Sequence, residues 1–436
     1  MRTRGRRAQG TVLRSLGYWL TPGLGVKRWL LVLLLGITEL ALALAYVLVT
    51  LYREQPFPPV FYYLTLQFIP RLGRAALFGA LGIATTALAL VRLNRTLLAP
   101  FVQPGRDVAE ILHRHRQRER GPRIVVIGGG TGQSTLLRGL KAISARLTAV
   151  VTVADDGGSS GRLRREMGLL PPGDFRNCLA ALAEAEPLMT ALFQYRFGKG
   201  TGLNGHAFGN LFITAMAEIT GSFEQAVAES GRVLAVRGRV LPCTVEHVVL
   251  AAEIRDAEGR VHRVDGESVI PEVRGRIERV WLIPEHARAY PETIRAILEA
   301  DLIVLGPGSL YTSVLPNLLV EGIVPAIRAS RALKVYVCNV ATQIGETEGY
   351  GVAEHVQAIE RHVGPELFDI ILVNSRLDVP WEGVPEEVGD PVRWDGRPLP
   401  PYTVVAMDVI DERMPWRHDP EKLTRALMAL FERYRR

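Results

Sequence analysis

Two patterns of apolar residues divide the chain. Residues 29–52 are hydrophobic or small apart from Glu39, and residues 75–91 carry no charge. About 20 apolar residues in a row suffice to cross a hydrocarbon layer as a helix, so these runs predict a transmembrane helical hairpin over residues 29–91. From residue 123 the pattern changes. Short β-branched runs at 124–127, 147–153, 301–305, 334–338 and 369–373 alternate with helical spacing such as Leu136, Leu137, Leu140 and Ile143. That alternation predicts an α/β fold, a Rossmann-like, mostly parallel sheet with helices on both faces. Residues 248–264 alternate about Ala257-Glu258-Gly259 and are followed by 277–283, which predicts a small antiparallel insertion over about 237–290. Residues 421–436 read as an amphipathic closing helix. The expected organisation is a basic N-terminus (1–28), the hairpin (29–91), a basic linker (92–122) and one large α/β domain (123–436).

Charge sharpens the division. The first 123 residues hold 18 of the 52 basic residues and only 5 of the 45 acidic ones, so the remainder is mildly acidic. This balance argues against a main domain that binds nucleic acid. Arginines and lysines flank both apolar runs, whereas the connecting loop holds only Arg53, Arg71 and Arg74 with Glu54. By the positive-inside rule both ends lie in the cytoplasm, which predicts a multi-pass membrane protein in contact with lipid through residues 29–91. The stretch 107–120 reads as a basic helix, either against anionic lipid or solvated. Cys178, Cys243 and Cys338 are too far apart for a zinc site or a disulfide framework.

Candidate chemistry sits in loops at strand ends. Gly128-Gly129-Gly130-Thr131-Gly132 joins the first strand to its helix, where glycines admit an anion to backbone N–H groups at a helix N-terminus. It is neither a Walker A loop nor a dinucleotide fingerprint in register. Asp155-Asp156 ends the second strand; the pair can hold a ribose hydroxyl, bind Mg²⁺ between phosphates or act as a base, and it also suits an Asx turn. Asp174 is a good N-cap. Asn177, His206 and Asn210 precede or open apolar helices, and a lone histidine is as readily structural as functional. The fourth loop carries Gly306, Gly308, Ser309, Tyr311, Thr312 and Ser313, with Asn339, Thr342 and Gln343 after the next strand. Several glycine and hydroxyl loops at one sheet edge point to a phosphorylated or nucleotide ligand.

The strings VVIGGGTGQSTLLRGLK, VTVADDGGSSGRLR, PPGDFRNCLAAL, GHAFGNLF, LGPGSLYTSVLPNLL and VYVCNVATQIGET resemble the gluconeogenesis-factor (YvcK-like) family, sister of the CofD-like 2-phospho-L-lactate transferases. The six motifs stand in family order, and the second and third resemble the gluconeogenesis-factor branch in particular. The resemblance implies a domain that binds a UDP-sugar, chiefly UDP-N-acetylglucosamine, and regulates carbon flow into peptidoglycan precursors, gluconeogenic growth and cell shape. It also implies that the triple-glycine loop, Asp155, Asp156, Asn177, His206, Asn210 and the 306–313 loop line one cleft. The hairpin departs from the soluble family pattern.

Two functions compete on these residues. A sensor needs the phosphate cradle, requires no cofactor and acts through partners such as cell-wall precursor enzymes; a homo-oligomer is the expected assembly. A transferase of the 2-phospho-L-lactate type needs the same cradle and adds Mg²⁺, with Asp155 or Asp156 as metal ligand or base and Arg162 steadying phosphate charge. An oxidoreductase is disfavoured by the glycine register. The sensor is the reading adopted.

Overall fold

The computed structural model describes residues 68–98, 118–184, 187–199 and 202–435, with isolated positions between 35 and 66. The chain divides into two compact units, residues 1–116 and 117–436.

In the first unit the helix described along its whole length is Arg71–Leu98, and isolated described positions between 35 and 49 are also helical. This corrects the expected hairpin and the multi-pass placement built on it: among the described residues no helix is long and apolar enough to cross a membrane. The physical reason lies in the helix itself. Its charge-free part is only residues 75–91, closed by Arg74 and Arg92 and diluted by Gly79, Gly82, Thr85 and Thr86, against the roughly 20 apolar residues a span requires. Most of the expected first span, and the basic stretch 107–117, lie outside the described residues.

The second unit contains twelve strands among its described residues. They are β1 (Ile124–Gly128), β2 (Leu147–Val151), β3 (Arg239–Pro242), β4 (Val249–Arg255), β5 (Val261–Asp265) and β6 (Arg276–Ile283). There follow β7 (Leu302–Leu305), β8 (Leu333–Val337), β9 (Ala341–Gln343), β10 (Ile370–Asn374), β11 (Val388–Pro391) and β12 (Thr403–Met407). Seven of them form one sheet in the order β12-β10-β8-β7-β1-β2-β3. Every neighbouring pair in it is parallel, with Ile124 in register with Leu147 on one side and Leu302 on the other. β1, β2, β7 and β10 are buried along their whole length, as a parallel sheet covered on both faces requires.

The strand order fixes where a ligand can enter. From β1 the chain proceeds outward through β2 to β3; from β7 it proceeds the other way through β8 and β10 to β12. The connections leaving β1 and β7 therefore diverge, and a crevice opens between them at the carboxyl edge of the sheet. The expected insertion is narrower than 237–290. β3 belongs to the main sheet as its edge, and the antiparallel part is β5-β4-β6, residues 249–283. A pair of short strands, β11 and β9, lies apart.

The helix Gly130–Leu140 buries Leu136, Leu137 and Leu140 and packs on two others, Gly173–Leu182 and the closing helix Pro420–Tyr434. Asp419 caps the closing helix by accepting the N–H groups of Glu421 (2.9 Å) and Lys422 (2.7 Å), with Pro420 in its first turn. Gly139 makes the packing close: a Cβ there would run into Thr424 Oγ1 and the Pro420 carbonyl.

Candidate functional site

The two glycine loops meet in the crevice, backbone against backbone. A Cβ on Gly132 would lie 2.7 Å from the Pro307 carbonyl oxygen, and one on Gly308 would lie 3.2 Å from that of Gly129. Gly130 (φ +64°) and Gly306 (φ +80°) take left-handed conformations that favour glycine. Asn317, fully buried, ties the loops together by donating to the Gly128 carbonyl (2.9 Å) and the Ser313 carbonyl (2.7 Å). It stands in the fifth motif, but only the fold shows that its amide reaches back across 189 positions to the first.

The helix Gly130–Leu140 has no side-chain cap of its own. Its first N–H is taken by Asp174, whose Oδ2 accepts from Gly130 N–H at 2.7 Å. Asp174 is therefore not the N-cap of its own helix, where Pro172 stands, but an anion supplied to the end of another. A negative group at that point is what the helix dipole and unpaired N–H groups select, and here the protein places one. The first-turn N–H groups of Thr131 and Gly132 have no intrahelical acceptor. Thr131 is exposed at the rim.

Asp155 and Asp156 diverge, as neighbouring residues leaving a strand do. Asp155 Oδ1 accepts the N–H of Gly157 (3.0 Å), which makes an Asx turn, and its pKa is raised by burial above all. Asp156 Oδ1 accepts the N–H of Ser268 at 2.9 Å and so fastens the antiparallel insertion to the cleft loop. Among the described residues no three His, Cys, Asp or Glu side chains converge to hold a metal.

His206 and Asn210 converge on Ser159. The Ser159 hydroxyl accepts from Asn210 Nδ2 (3.0 Å) and Ala207 N–H (3.4 Å), which leaves its proton for His206 Nδ1 at 3.1 Å. The imidazole proton is then on Nε2. Burial, then the Arg162 charge, pushes the histidine pKa down, so the ring is neutral at pH 7. Asn210 Oδ1 is buried without a partner, as is Asn339 Oδ1. Asn177 Oδ1 accepts from Arg176 (3.0 Å), and Arg162 donates to the Asn204 carbonyl (2.9 Å).

The fourth loop enters a π-helical turn, Leu310–Val314. Two of its expected ligand contacts have their polar atoms engaged elsewhere. Tyr311 is fully buried and its hydroxyl pairs with that of Tyr350 at 2.9 Å, while Thr312 Oγ1 donates to Glu346 at 2.9 Å. Ser309 forms no side-chain cap bond, and Ser313 Oγ lies 3.7 Å from the position of a Gly130 Cβ.

Two carboxylates missed in the sequence, Glu346 and Glu267, complete the electrostatics. Glu346 also accepts the Tyr311 N–H (3.3 Å), and burial pushes its carboxyl up to about 7. Glu267, on the loop fastened by Asp156, is pushed up to about 9 by burial and then by the charges of Asp155, Glu346, Asp174 and Asp156. Asp174 rises to about 6 for the same two reasons, burial and Asp155. Arg176 opposes them, half-buried, with an Nε that has no acceptor. The carboxylates come from four separated segments, so no local spacing announces them.

Glu346 supplies a test. A buried acid whose folded pKa is raised costs stability as pH climbs from its ordinary 4.5 to about 7, and the cost is complete above that. In urea unfolding the wild type should lose about 2 kcal/mol more than Glu346→Gln between pH 5 and pH 8. Equal losses would show that Glu346 does not titrate in that window.

Comparison with known proteins fits this geometry. The family model described as "2-phospho-L-lactate transferase CofD" matches residues 124–410. The gluconeogenesis factor of Bacillus subtilis is 56% identical over 267 residues, covering 61% of this chain and 81% of its own. That of Halalkalibacterium halodurans is 48% identical over 310 residues, covering 70% and 95%. The chain belongs to the gluconeogenesis factor, CofD-like family. A crystal structure of a Bacillus halodurans protein overlays with a TM-score of 0.65 at 45% identity, covering 71% of this chain and all of that one. The family match begins at β1 and contains every candidate site residue named above.

Proposed function

We propose that this member of the gluconeogenesis factor family binds a UDP-sugar, with UDP-N-acetylglucosamine as the ligand, and regulates carbon flow into peptidoglycan precursors through partner proteins. The observation that carries the reading is the pair of glycine loops meeting at the switch point of a parallel sheet, with a helix N-terminus that already holds a carboxylate. A diphosphate would lie along the N–H groups of Thr131 and Gly132, and the raised carboxyls of Asp155, Glu267 and Glu346 would meet ribose and sugar hydroxyls. A protonated acid donates to a hydroxyl oxygen as readily as an ionised one accepts from its proton. The names of the relatives agree with a role in gluconeogenic growth.

The transferase reading has one observation in its favour, the transferase description of the matching family model. One experiment separates the two. The full chain is titrated calorimetrically with UDP-N-acetylglucosamine, and separately with GDP and GTP, each with and without Mg²⁺, and the ligand is recovered intact or not. Metal-tolerant binding of the uridine ligand without breakdown is the expected result. Guanosine preference or turnover would replace the sensor with the transferase.

A further inference from the structure

The opposite edge of the sheet carries a second hollow. It has a volume of about 830 Å³ and is lined by Arg120, Arg123, Arg146, Arg331 and Arg435, with Glu299 and Asp301 the only acids. Four of its charged residues stand at or just before the amino ends of adjacent strands: Arg146 before β2, Arg123 before β1, Asp301 before β7, and Arg331 two places before β8. That edge is the far side of the domain from the cleft.

The two acids are already engaged. Asp301 accepts the Arg123 N–H at 2.7 Å and its guanidinium at 3.5 Å. Glu299 accepts from Arg295 at 2.9 Å and lies 3.9 Å from Arg123. Arg120, Arg146, Arg331 and Arg435 form no ion pair among the described residues, although Arg435 lies over the Phe431 ring at 5.9 Å. Helix carboxyl ends favour nearby cations, and Pro291–Leu298, Ile323–Ala329 and Pro420–Tyr434 end beside the hollow. That effect accounts for Arg331 and Arg435. It does not reach Arg120 and Arg146, which stand in connecting segments. Like charges brought to one concave surface repel unless an anion joins them.

We propose that this hollow binds a small polyphosphate anion, with Arg146 and Arg331 as principal contacts. Its volume is that of a small-molecule site. The apolar lining is Leu298, Ala300, Ala329, Leu333 and a Phe431 already covered by Arg435, so no open aromatic face awaits a base. Recognition is therefore of the phosphate chain, whether free pyrophosphate or that of a nucleotide. The acidic balance of the remainder of the domain disfavours a nucleic acid.

The test uses sodium pyrophosphate as probe, the full-length chain and calorimetry at fixed ionic strength. It is run on Gly132→Ala, in which the cleft is expected to be weakened about thirtyfold, so that loss at the hollow and loss at the cleft are distinguishable. Arg146→Ala/Arg331→Ala added to that background should weaken pyrophosphate at least about tenfold, the size of one lost charge-assisted contact. In the otherwise wild-type chain the same pair should leave UDP-N-acetylglucosamine binding unchanged. Should the double variant not fold, Arg331→Gln alone, an exposed position, is expected to show the loss with an unaltered circular dichroism spectrum. ADP and UDP binding no more tightly than pyrophosphate would support recognition of the chain alone. Pyrophosphate affinity indifferent to the arginines, absent from the Gly132→Ala protein, or matched by sulfate at equal concentration would overturn the proposal.

Discussion

Gly132→Ala should weaken UDP-N-acetylglucosamine binding by about thirtyfold, or roughly 2 kcal/mol, the middle of the range for overpacking a closed contact. The added Cβ would stand 2.7 Å from the Pro307 oxygen, 2.9 Å from its carbonyl carbon and 3.1 Å from the Gly308 nitrogen. All three are backbone atoms. No rotamer change relieves the contact, so the loops after β1 and β7 must part, and the cradle they form together is lost. Gly130→Ala is the instructive contrast. Its Cβ would have only Ser313 Oγ at 3.7 Å, leaving the strain of a positive φ, worth about 1 kcal/mol. Calorimetry on both variants should therefore rank Gly132 well above Gly130. Wild-type affinity in Gly132→Ala would remove the two loops from the binding site.

The second large effect is expected at Asn317. Asn317→Ala withdraws both amide donors from the Gly128 and Ser313 carbonyls in a position without solvent, and the wild-type amide is itself fully buried. Unmet buried acceptors cost about 1–3 kcal/mol each, so a loss of about 3 kcal/mol in urea unfolding is expected, with Gly128 partly rescued by the Thr152 N–H at 3.2 Å. Asn317→Asp separates the causes. It keeps the volume and cannot donate when ionised, so it should fall with alanine. An aspartate variant as stable as wild type would show that packing, not donation, holds the loops.

Legibility followed range. β1, β2, β7, β8 and β10 were visible as apolar runs because a doubly covered parallel strand admits only such residues, and the glycine loops were visible because close backbone approach leaves no alternative residue. β12 was missed: Thr403–Met407 is only exposed or half-buried at the sheet edge, with no fully buried position to mark it. β3 was drawn into the insertion because four residues beside a hairpin carry no sign of which sheet they join. Glu267 and Glu346 could not be found locally, since what distinguishes them is burial beside acids from remote segments. The hairpin is the instructive error. Counting charge-free positions overlooks that glycine and threonine dilute a run, and Ala75–Val91 is both short and diluted. Asp174 shows the reverse case, a capping residue recognised by type but assigned to the wrong helix.

The closing helix has a consequence for timing. Gly130–Leu140, made early in synthesis, is seated by Pro420–Tyr434, made much later, and the contact at Gly139 leaves no room for a substitute. A chain still attached to the ribosome has its first glycine loop long before the element that steadies it, and β12 also arrives late. The loop after β1 is thus formed early and steadied late, so the packing of its helix depends on contacts of long sequence separation.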